Sequence, residues 1–369
     1  MTARLRFSLT PFSCLNQRPY RGLFILAFLI FLCCLLNSDS LSRYLFAKKD
    51  CALPESILGS ESPALLPLNE AEELCNEYNL NAHPLRSHLR KVYDLILMNT
   101  ELEWLEIRLH ELEREVDYFV ILEATETFTG NDKPLYFKQN YDRFSNFSHK
   151  IVYHALNLTG RDGTAWDREQ YSRDAIFTAV FPHLLPPAAP QEYDVLLVSD
   201  IDEIPRPSTL RVLRNCYFPD RTTLRSRFFY YSFQWQHVGD EWFHPQATFF
   251  TSLSDTIRPE NLRWGGGWDF PNASWHCSSC FKTVAEMVNK IESFSHQEFN
   301  TESAKEPLEI VRRVRNGVDL FEREGENYEK VETEDLPRYL NENRGRFVWM
   351  LDRDPENANF IDIDIESIV

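Results

Sequence analysis

Between residues 92 and 199, strand patterns and helix patterns alternate along the chain. Short apolar runs at residues 92–97, 118–122 and 194–199 predict strands. Apolar residues spaced three and four apart predict helices over residues 102–116 and 166–180. This order predicts an α/β fold with a central, mostly parallel mixed sheet flanked by helices. Ligands of such sheets bind at the carboxyl ends of the central strands.

Local signals predict where several helices begin and end. Capping-box patterns, an N-cap residue, a first-turn proline and a C-terminal glycine are each present. They are Thr100 with Glu103, Asp167, Thr283 with Glu286, Pro307, and Gly317.

The composition excludes two classes of protein. Hydrophobic residues make up 43% of the chain, which is enough for a sizeable core and excludes global disorder. The net charge of −17 argues against a nucleic-acid partner, because such proteins need a basic face.

The first residues predict a membrane anchor. Residues 1–21 carry four arginines and no acid, and residues 22–36 form an uncharged apolar run. We expect a single-pass signal anchor with the basic tail cytoplasmic and the rest lumenal, and the alternative is a cleaved signal peptide. The predicted segments are a cytoplasmic tail (1–21), the transmembrane anchor (22–38), a stem (39–88), the catalytic domain (89–353) and an acidic C-terminal tail (354–369).

Cysteine usage agrees with an oxidising compartment. Five of the eight cysteines follow the anchor, and Cys51 with Cys75 could cross-link the stem. The pair Cys277 and Cys280 predicts a disulfide, either with each other or with Cys216.

The strongest chemical signal is the segment 200–205 (DIDEIP), directly after the apolar run at 194–199. Asp200 and Asp202 can converge on a divalent cation, and oxygen ligands suit Mn²⁺ or Mg²⁺. Such a cation would neutralise a nucleoside diphosphate leaving group. The same Asp-x-Asp pattern recurs at residues 352–354 and 362–364, so position at a strand end separates the first copy from the others. The structural alternative is a pair of carboxylates that cap a loop.

Other residues are candidates for the same site. His276, in the segment WHCSSC, is a candidate third metal ligand, and a structural histidine is the alternative. Glu298 is the first candidate for a general base, followed by Asp269 and Glu203. Glu123, Lys133 and Arg173 are candidates for contacts to the nucleotide or its phosphates, with Asp200 contributing to diphosphate binding.

At these residues the chain resembles glycosyltransferase family 17. The resemblance covers about residues 91–353 and rests on several motifs in order. They are 101–112 (ELEWLEIRLHEL), Glu123 with 129–135 (TGNDKPL), 200–205 (DIDEIP), 275–281 (WHCSSCF), 315–321 (RNGVDLF), 336–340 (LPRYL) and Arg346 with Phe347. Residues 263–269, with three consecutive glycines, and the sequon at Asn272 depart from the family pattern.

The resemblance implies a GT-A-type fold and type II Golgi membrane topology. It implies metal-dependent, inverting transfer of N-acetylglucosamine from UDP-GlcNAc, with Mn²⁺ as the expected cation. The implied partner is the mannose of a glycoprotein N-glycan core, joined through a β-1,4 linkage. Two alternatives stay open: a secretory glycoside hydrolase with paired acids, and a non-catalytic, membrane-tethered glycan-binding protein.

Overall fold

The computed structural model describes residues 65–84 and 89–364. The chain divides into two compact units, Met1–Ile57 and Leu58–Val369, and all described residues belong to the second. The predicted cytoplasmic tail and anchor lie outside the described residues. Within residues 65–84 and 89–364, no helix combines the length and the apolar character that a membrane crossing requires.

Up to residue 199, helices and strands alternate along the described chain, and after it their order is irregular. The strands are β1 (Asn81–Ala82), β2 (Val92–Met98), β3 (Tyr118–Ala124), β4 (Ile151–Leu156), β5 (Val195–Ser199), β6 (Glu203–Pro205), β7 (Cys216–Tyr217), β8 (Thr222–Tyr230), β9 (Ser232–His237), β10 (Gln246–Phe249), β11 (Trp268–Ser278) and β12 (Tyr328–Lys330). The helices are α1 (Leu68–Glu77), α2 (Leu102–Leu112), α3 (Tyr136–Gln139), α4 (Ala165–Ala175), α5 (Pro207–Asn215), α6 (Pro259–Arg263), α7 (Val284–Ser293), α8 (Glu302–Lys305), α9 (Pro307–Asn316) and α10 (Arg338–Glu342).

One large sheet organises these elements, with strand order β12-β9-β8-β10-β5-β2-β3-β4. Strands β5, β2, β3 and β4 pair parallel with one another, as the alternating sequence patterns predict. Strand β10 pairs antiparallel with both β5 and β8, and β11 joins the sheet between β8 and β6. The predicted α/β fold, with a mixed central sheet between helices, is confirmed. Its parallel strands form one half of the sheet, and antiparallel pairing dominates the other.

Alternating residues of the parallel strands face two separate cores. Ile96 of β2 packs in the core that includes α2, whereas Leu95 packs in the core formed with the end of α4 and the turn after it. Since both faces are covered, these strands are almost continuously apolar. A third cluster joins β8 and β9 to α7, α9 and the segment around Phe360.

The folded body begins and ends beyond the predicted domain boundaries. Helix α1 lies within the predicted stem, yet Leu74 and Cys75 are buried in the first core. Cys75 forms a disulfide with Cys216, 141 residues further on, so the predicted cross-link between Cys51 and Cys75 is wrong. In the predicted C-terminal tail, Ala358 and Phe360 are buried in the third cluster. The local alternative for Cys277 and Cys280 is confirmed, since they are bonded to each other.

The helix ends follow the predicted signals in part. Thr283 and Glu286 form the expected capping box of α7, and α9 begins at Pro307 and ends before Gly317, which has φ +61°. Two predictions were wrong. Glu101, and not Thr100, precedes α2 without a side-chain cap, and Thr164 caps α4 while Asp167 is its capping-box partner.

Candidate active site

The candidate active site lies where the parallel strands end. Asp200 follows β5 directly, so the sheet presents its carboxylate at the edge where β2 and β3 also end. Arg173 of α4 donates a hydrogen bond to Oδ1 of Asp200 over 2.9 Å. Arg263 at the end of α6 donates to Oδ2 over 3.0 Å. Both carboxylate oxygens of Asp200 are therefore engaged, although its side chain is 41% exposed.

The pKa of Asp200 reflects these two cations. Burial alone would raise the pKa, but the charges of Arg173 and Arg263 hold it below its ordinary value. Burial alone would lower the pKa of the Arg173 guanidinium, but the charges of Asp200 and Glu169 raise it. Asp200 therefore stays ionised, and each arginine is also shared with a second carboxylate, Arg173 with Glu169 and Arg263 with Glu203.

Glu203 braces the turn that carries the two aspartates. Its Oε2 accepts the backbone N–H of Asp200 at 2.9 Å, and its Oε1 accepts the indole N–H of Trp242 at 3.0 Å. Arg263 donates to both oxygens, at 3.0 and 3.3 Å. Burial would raise the pKa of Glu203, but the charges of Arg263 and His244 hold it well below its ordinary value. Buried and fully engaged, Glu203 is placed to position Asp200 and not to accept a proton from a substrate.

A buried arginine, Arg108, binds the backbone of the same turn. Arg108 of α2 forms a bidentate ion pair with Asp94 of β2, with both N···O distances 2.7 Å. Its Nη1 donates to the carbonyl oxygens of Asp200, at 3.1 Å, and of Glu203, at 2.7 Å. Arg108 therefore ties the turn to the centre of the sheet.

Asp202 points to a different group of residues. Its Oδ2 lies 3.8 Å from Nε2 of His276 and 3.7 Å from Nζ of Lys290. The backbone register places His276 of β11 opposite Glu203 of β6, which explains how the histidine reaches the turn. The imidazole stacks on Phe228, and its buried Nδ1 has no hydrogen-bond partner in the described part of the chain.

Of the two aspartates, Asp202 is the one whose carboxylate could help to hold a divalent cation, and the ammonium group of Lys290 lies 3.7 Å from it. Among residues 65–84 and 89–364, no three His, Cys, Asp or Glu side chains are grouped to hold a metal, so the predicted set of Asp200, Asp202 and His276 is not assembled. Asp200 is occupied by arginines. The carboxylate of Asp202 accepts no hydrogen bond from the described residues and has a histidine nitrogen beside it. Its oxygens and that nitrogen are the donor types that Mn²⁺ accepts.

The predicted nucleotide contacts separate in the structure. Glu123 of β3 is buried, and its carboxylate accepts the backbone N–H of Phe137 at 2.8 Å and the hydroxyl of Tyr153 at 2.9 Å. It therefore caps α3, which is the loop-bracing alternative. Lys133 differs, because its buried Nζ has no hydrogen-bond partner within the described residues.

The predicted bases occupy three different environments. Glu298 is 59% exposed and accepts a hydrogen bond from His296, which lowers its pKa. Asp269 is 50% exposed and pairs with Arg225 at 2.7 Å. A cavity of about 450 Å³ is lined by Asp269, Arg225, Arg263, Trp264 and residues 265–267. Through Arg263 this cavity adjoins Asp200, so Asp269 is the predicted base that the structure places beside the site.

Exposed aromatic rings flank this cavity. The ring of Trp264 is 64% exposed and packs edge-on against Trp166, at 6.0 Å between centroids. Glu260 accepts the indole N–H of Trp264 and lies 3.7 Å from Arg173. Through Glu260, the exposed ring of Trp264 is therefore linked to Arg173, one of the two arginines that bind Asp200.

Sequence reasoning missed several residues of this site. Arg263 lies in the loop singled out for its glycines, and Arg108 lies within the motif at 101–112, but neither position has a local charge pattern that identifies its partner. Lys290 sits on the predicted helix α7, where a lysine is ordinarily solvated. Only the packing of α2, α6 and α7 around the turn reveals these contacts.

The comparisons with known proteins identify the family of the chain. The sequence pattern of glycosyltransferase family 17 matches residues 65–354, so the chain is a glycosyltransferase-type protein and belongs to glycosyltransferase family 17. The human β-1,4-mannosyl-glycoprotein 4-β-N-acetylglucosaminyltransferase is 25% identical over 298 residues, which cover 71% of this chain and 55% of the human protein. The rat protein of the same name is 24% identical over 307 residues, covering 73% and 56%.

The chain thus spans about half the length of the curated relatives that it matches. A solved structure, the mannosyltransferase PcManGT from Pyrobaculum calidifontis in complex with GDP-Man and Mn²⁺, is 11% identical with a TM-score of 0.30. That match covers 61% of this chain and 68% of the other.

Proposed function

We propose that this protein transfers N-acetylglucosamine from UDP-GlcNAc to a mannose of an N-glycan core, forming a β-1,4 linkage with inversion. The observation that carries the proposal is the family match over residues 65–354, which includes every strand of the candidate site. The names of the relatives supply the sugar and the acceptor class.

The charges of the site support a diphosphate leaving group. Arg173 and Arg263 flank Asp200, and Lys290 lies beside Asp202. As the bond between the sugar and the diphosphate breaks, negative charge develops on the departing oxygen. Preorganised cations at a strand edge stabilise that charge. These three cations already pair with carboxylates of the same site, so a diphosphate would bind to groups that Asp200, Glu203 and Asp202 hold in place.

Asp202 is the residue that we assign to the divalent cation, with His276 beside it. A bound Mn²⁺ supplies Lewis-acid stabilisation of the leaving diphosphate. Asp200 has a separate role, because its carboxylate holds Arg173 and Arg263 in place.

Exchange of Asp202 for asparagine tests this assignment. We expect Asp202→Asn in the full-length chain to lower transfer from UDP-GlcNAc by at least about 100-fold, since the carboxylate charge is lost. Asp354→Asn is the matched control. Asp354 belongs to the second Asp-x-Asp pattern, but its carboxylate pairs with Lys330 and not with a residue of the candidate site. Unchanged Mn²⁺-stimulated transfer by Asp202→Asn would refute the assignment. Linkage analysis of the wild-type product tests the β-1,4 specificity.

We assign the acceptor to the cavity beside Asp200. Asp269 accepts the proton of the acceptor hydroxyl as that oxygen bonds to the anomeric carbon and the diphosphate departs on the opposite face. The exposed ring of Trp264 offers an apolar face on which a sugar ring stacks. We expect Asp269→Asn to lower kcat, and Trp264→Ala to raise the KM for the glycan about tenfold without changing the KM for UDP-GlcNAc. If both variants had the same kcat and KM as the wild type, the assignment of the acceptor to this cavity would be wrong.

We also propose that the protein is a single-pass type II protein of the Golgi membrane, with the described residues lumenal. The two disulfides of the described residues support an oxidising compartment. Protease protection of the folded domain in intact Golgi vesicles is the expected result, and cleavage without detergent would contradict it.

The two alternatives make different predictions with the same preparations. A glycoside hydrolase would release sugar without a nucleotide and retain its turnover in EDTA. A non-catalytic glycan-binding protein would bind the glycan but not UDP with Mn²⁺.

A further inference from the structure

Three polar atoms at the edge of the sheet are shielded from solvent and lack hydrogen-bond partners among the described residues. They are Oδ1 of Asn99, Oε2 of Glu101 and Nζ of Lys133. Buried polar atoms in folded proteins are nearly always hydrogen-bonded, because an unpaired one costs about 1–3 kcal/mol. Three such atoms at one edge therefore call for a ligand that satisfies them.

These residues belong to the same edge as Asp200 and Asp202. Asn99 and Glu101 follow β2, which lies between β5 and β3 in the sheet. Lys133 lies in the loop after β3. The carboxyl ends of three adjacent parallel strands thus contribute to one surface, which is where α/β sheets bind ligands.

Electrostatic interactions connect the three residues to the site already described. Burial raises the pKa of Glu101, and among the charges that act on it are those of Lys290 and Asp202. Burial lowers the pKa of Lys133, and the charges acting on it are those of Glu123 and Glu101. Glu101 is therefore close enough to Lys133, Lys290 and Asp202 to interact with their charges.

A purely structural role does not account for Glu101. It precedes α2, where an acidic side chain can cap a helix, but no side-chain cap is formed there. The backbone N–H groups of Thr100 and Glu101 stabilise the carboxyl, yet Oε2 is left without a partner. Nζ of Lys133 lies 5.6 Å from the centre of the Tyr136 ring and has no hydrogen-bond partner among the described residues.

We infer that Asn99, Glu101 and Lys133 bind the nucleotide part of the donor, a role that rests on the proposed function. Asn99 and Glu101 accept hydrogen bonds from hydroxyl or ring N–H groups of the nucleoside. Lys133 donates to an oxygen of the diphosphate. A nucleoside diphosphate offers both donor groups and anionic oxygens within one molecule, which matches two acceptors beside an ammonium group.

The test is UDP binding to the full-length chain in the presence of Mn²⁺, measured by isothermal titration calorimetry. We expect Glu101→Gln, Asn99→Ala and Lys133→Met each to weaken binding about tenfold or more. Glu115→Gln is the matched control, since Glu115 is also a buried carboxyl with a raised pKa but lies before β3, at the opposite edge of the sheet. It should bind UDP as the wild type does.

Thermal unfolding without ligand separates binding from folding. Because Glu101 is desolvated without a full set of partners, Glu101→Gln should unfold at the same or a higher temperature than the wild type. A lower unfolding temperature with unchanged UDP binding would assign Glu101 to the fold and overturn the inference. Variants that bind UDP within twofold of the wild type would overturn it alone, whereas a wild type that binds no UDP would overturn the donor assignment as well.

Discussion

The ion pair between Arg108 and Asp94 should dominate the stability of the site turn. Both side chains are fully buried, and the bidentate pair has two N···O distances of 2.7 Å. In Arg108→Met, Asp94 stays as an uncompensated buried charge, which costs about 3–5 kcal/mol. The carbonyl oxygens of Asp200 and Glu203 lose their donor too, so the upper end of this range applies.

Thermal unfolding followed by circular dichroism measures this loss. For a domain of this size each kcal/mol corresponds to about 2–4 °C, so Arg108→Met should lower Tm by roughly 10–20 °C. Arg312→Met is the matched control, because Arg312 pairs with Glu309 in an exposed i,i+3 ion pair. Exposed pairs contribute at most about 1 kcal/mol, and its Tm should shift by no more than a few degrees.

A double variant distinguishes the fold from the site. Asp94→Leu combined with Arg108→Met removes both buried charges, so much of the lost stability should return. The turn at residues 200–203 would still lack its clamp, and transfer should remain at least tenfold below wild type. The reasoning is refuted if Arg108→Met unfolds within 2 °C of the wild type, or if the double variant regains full activity.

Three further predictions concern stability. Burial would raise the pKa of Glu106, but hydrogen bonds from Arg346 and Arg143 lower it to about 2. The ionised carboxylate therefore stabilises the fold fully above pH 5, and up to about 3 kcal/mol of this stabilisation is lost as the pH falls towards 2. Glu106→Gln should make Tm depend less on pH in this acidic range. Cys75→Ser with Cys216→Ser opens a 141-residue separation and should cost about 2–5 kcal/mol in urea unfolding, whereas equal midpoints would show that the disulfide adds nothing. Gly317→Ala should destabilise more than Gly325→Ala, because both have positive φ but only the first would place a methyl group 2.4 Å from Trp235; similar losses in the two variants would contradict this.

The sequence predicted the parallel half of the fold because its signals are local. The apolar runs of β2, β3 and β5 and the helical spacing of α2 are visible within short windows, and these windows alone are enough to place Asp200 at a strand end. The antiparallel pairing of β10 between β5 and β8 has no such signal, since pairing partners are chosen by tertiary packing.

The sequence predicted that Asp200 and Asp202 follow a strand, but not which groups surround each of them. Asp200, Asp202 and His276 were identified, but the partners that divide the two aspartates were not. Arg263 and Lys290 reach the turn from elements 63 and 88 residues further along the chain. The prediction at the start of α4 was wrong by three residues: Thr164, and not Asp167, is the N-cap residue, and Asp167 is the partner of Thr164 in the capping box.

The disulfide between Cys75 and Cys216 imposes an order on biosynthesis. At about 5–20 residues per second, a ribosome needs roughly 7–28 s to add the 141 residues that separate the two cysteines. During that interval the thiols of Cys51 and Cys75 have both been synthesised, while the native partner of Cys75 has not. Correct oxidation therefore waits until Glu101, Lys133 and Asp202 and the strands that precede them have been translated. A nascent chain joined through Cys75 and Cys216 thus already contains the parallel strands and the residues at their carboxyl ends.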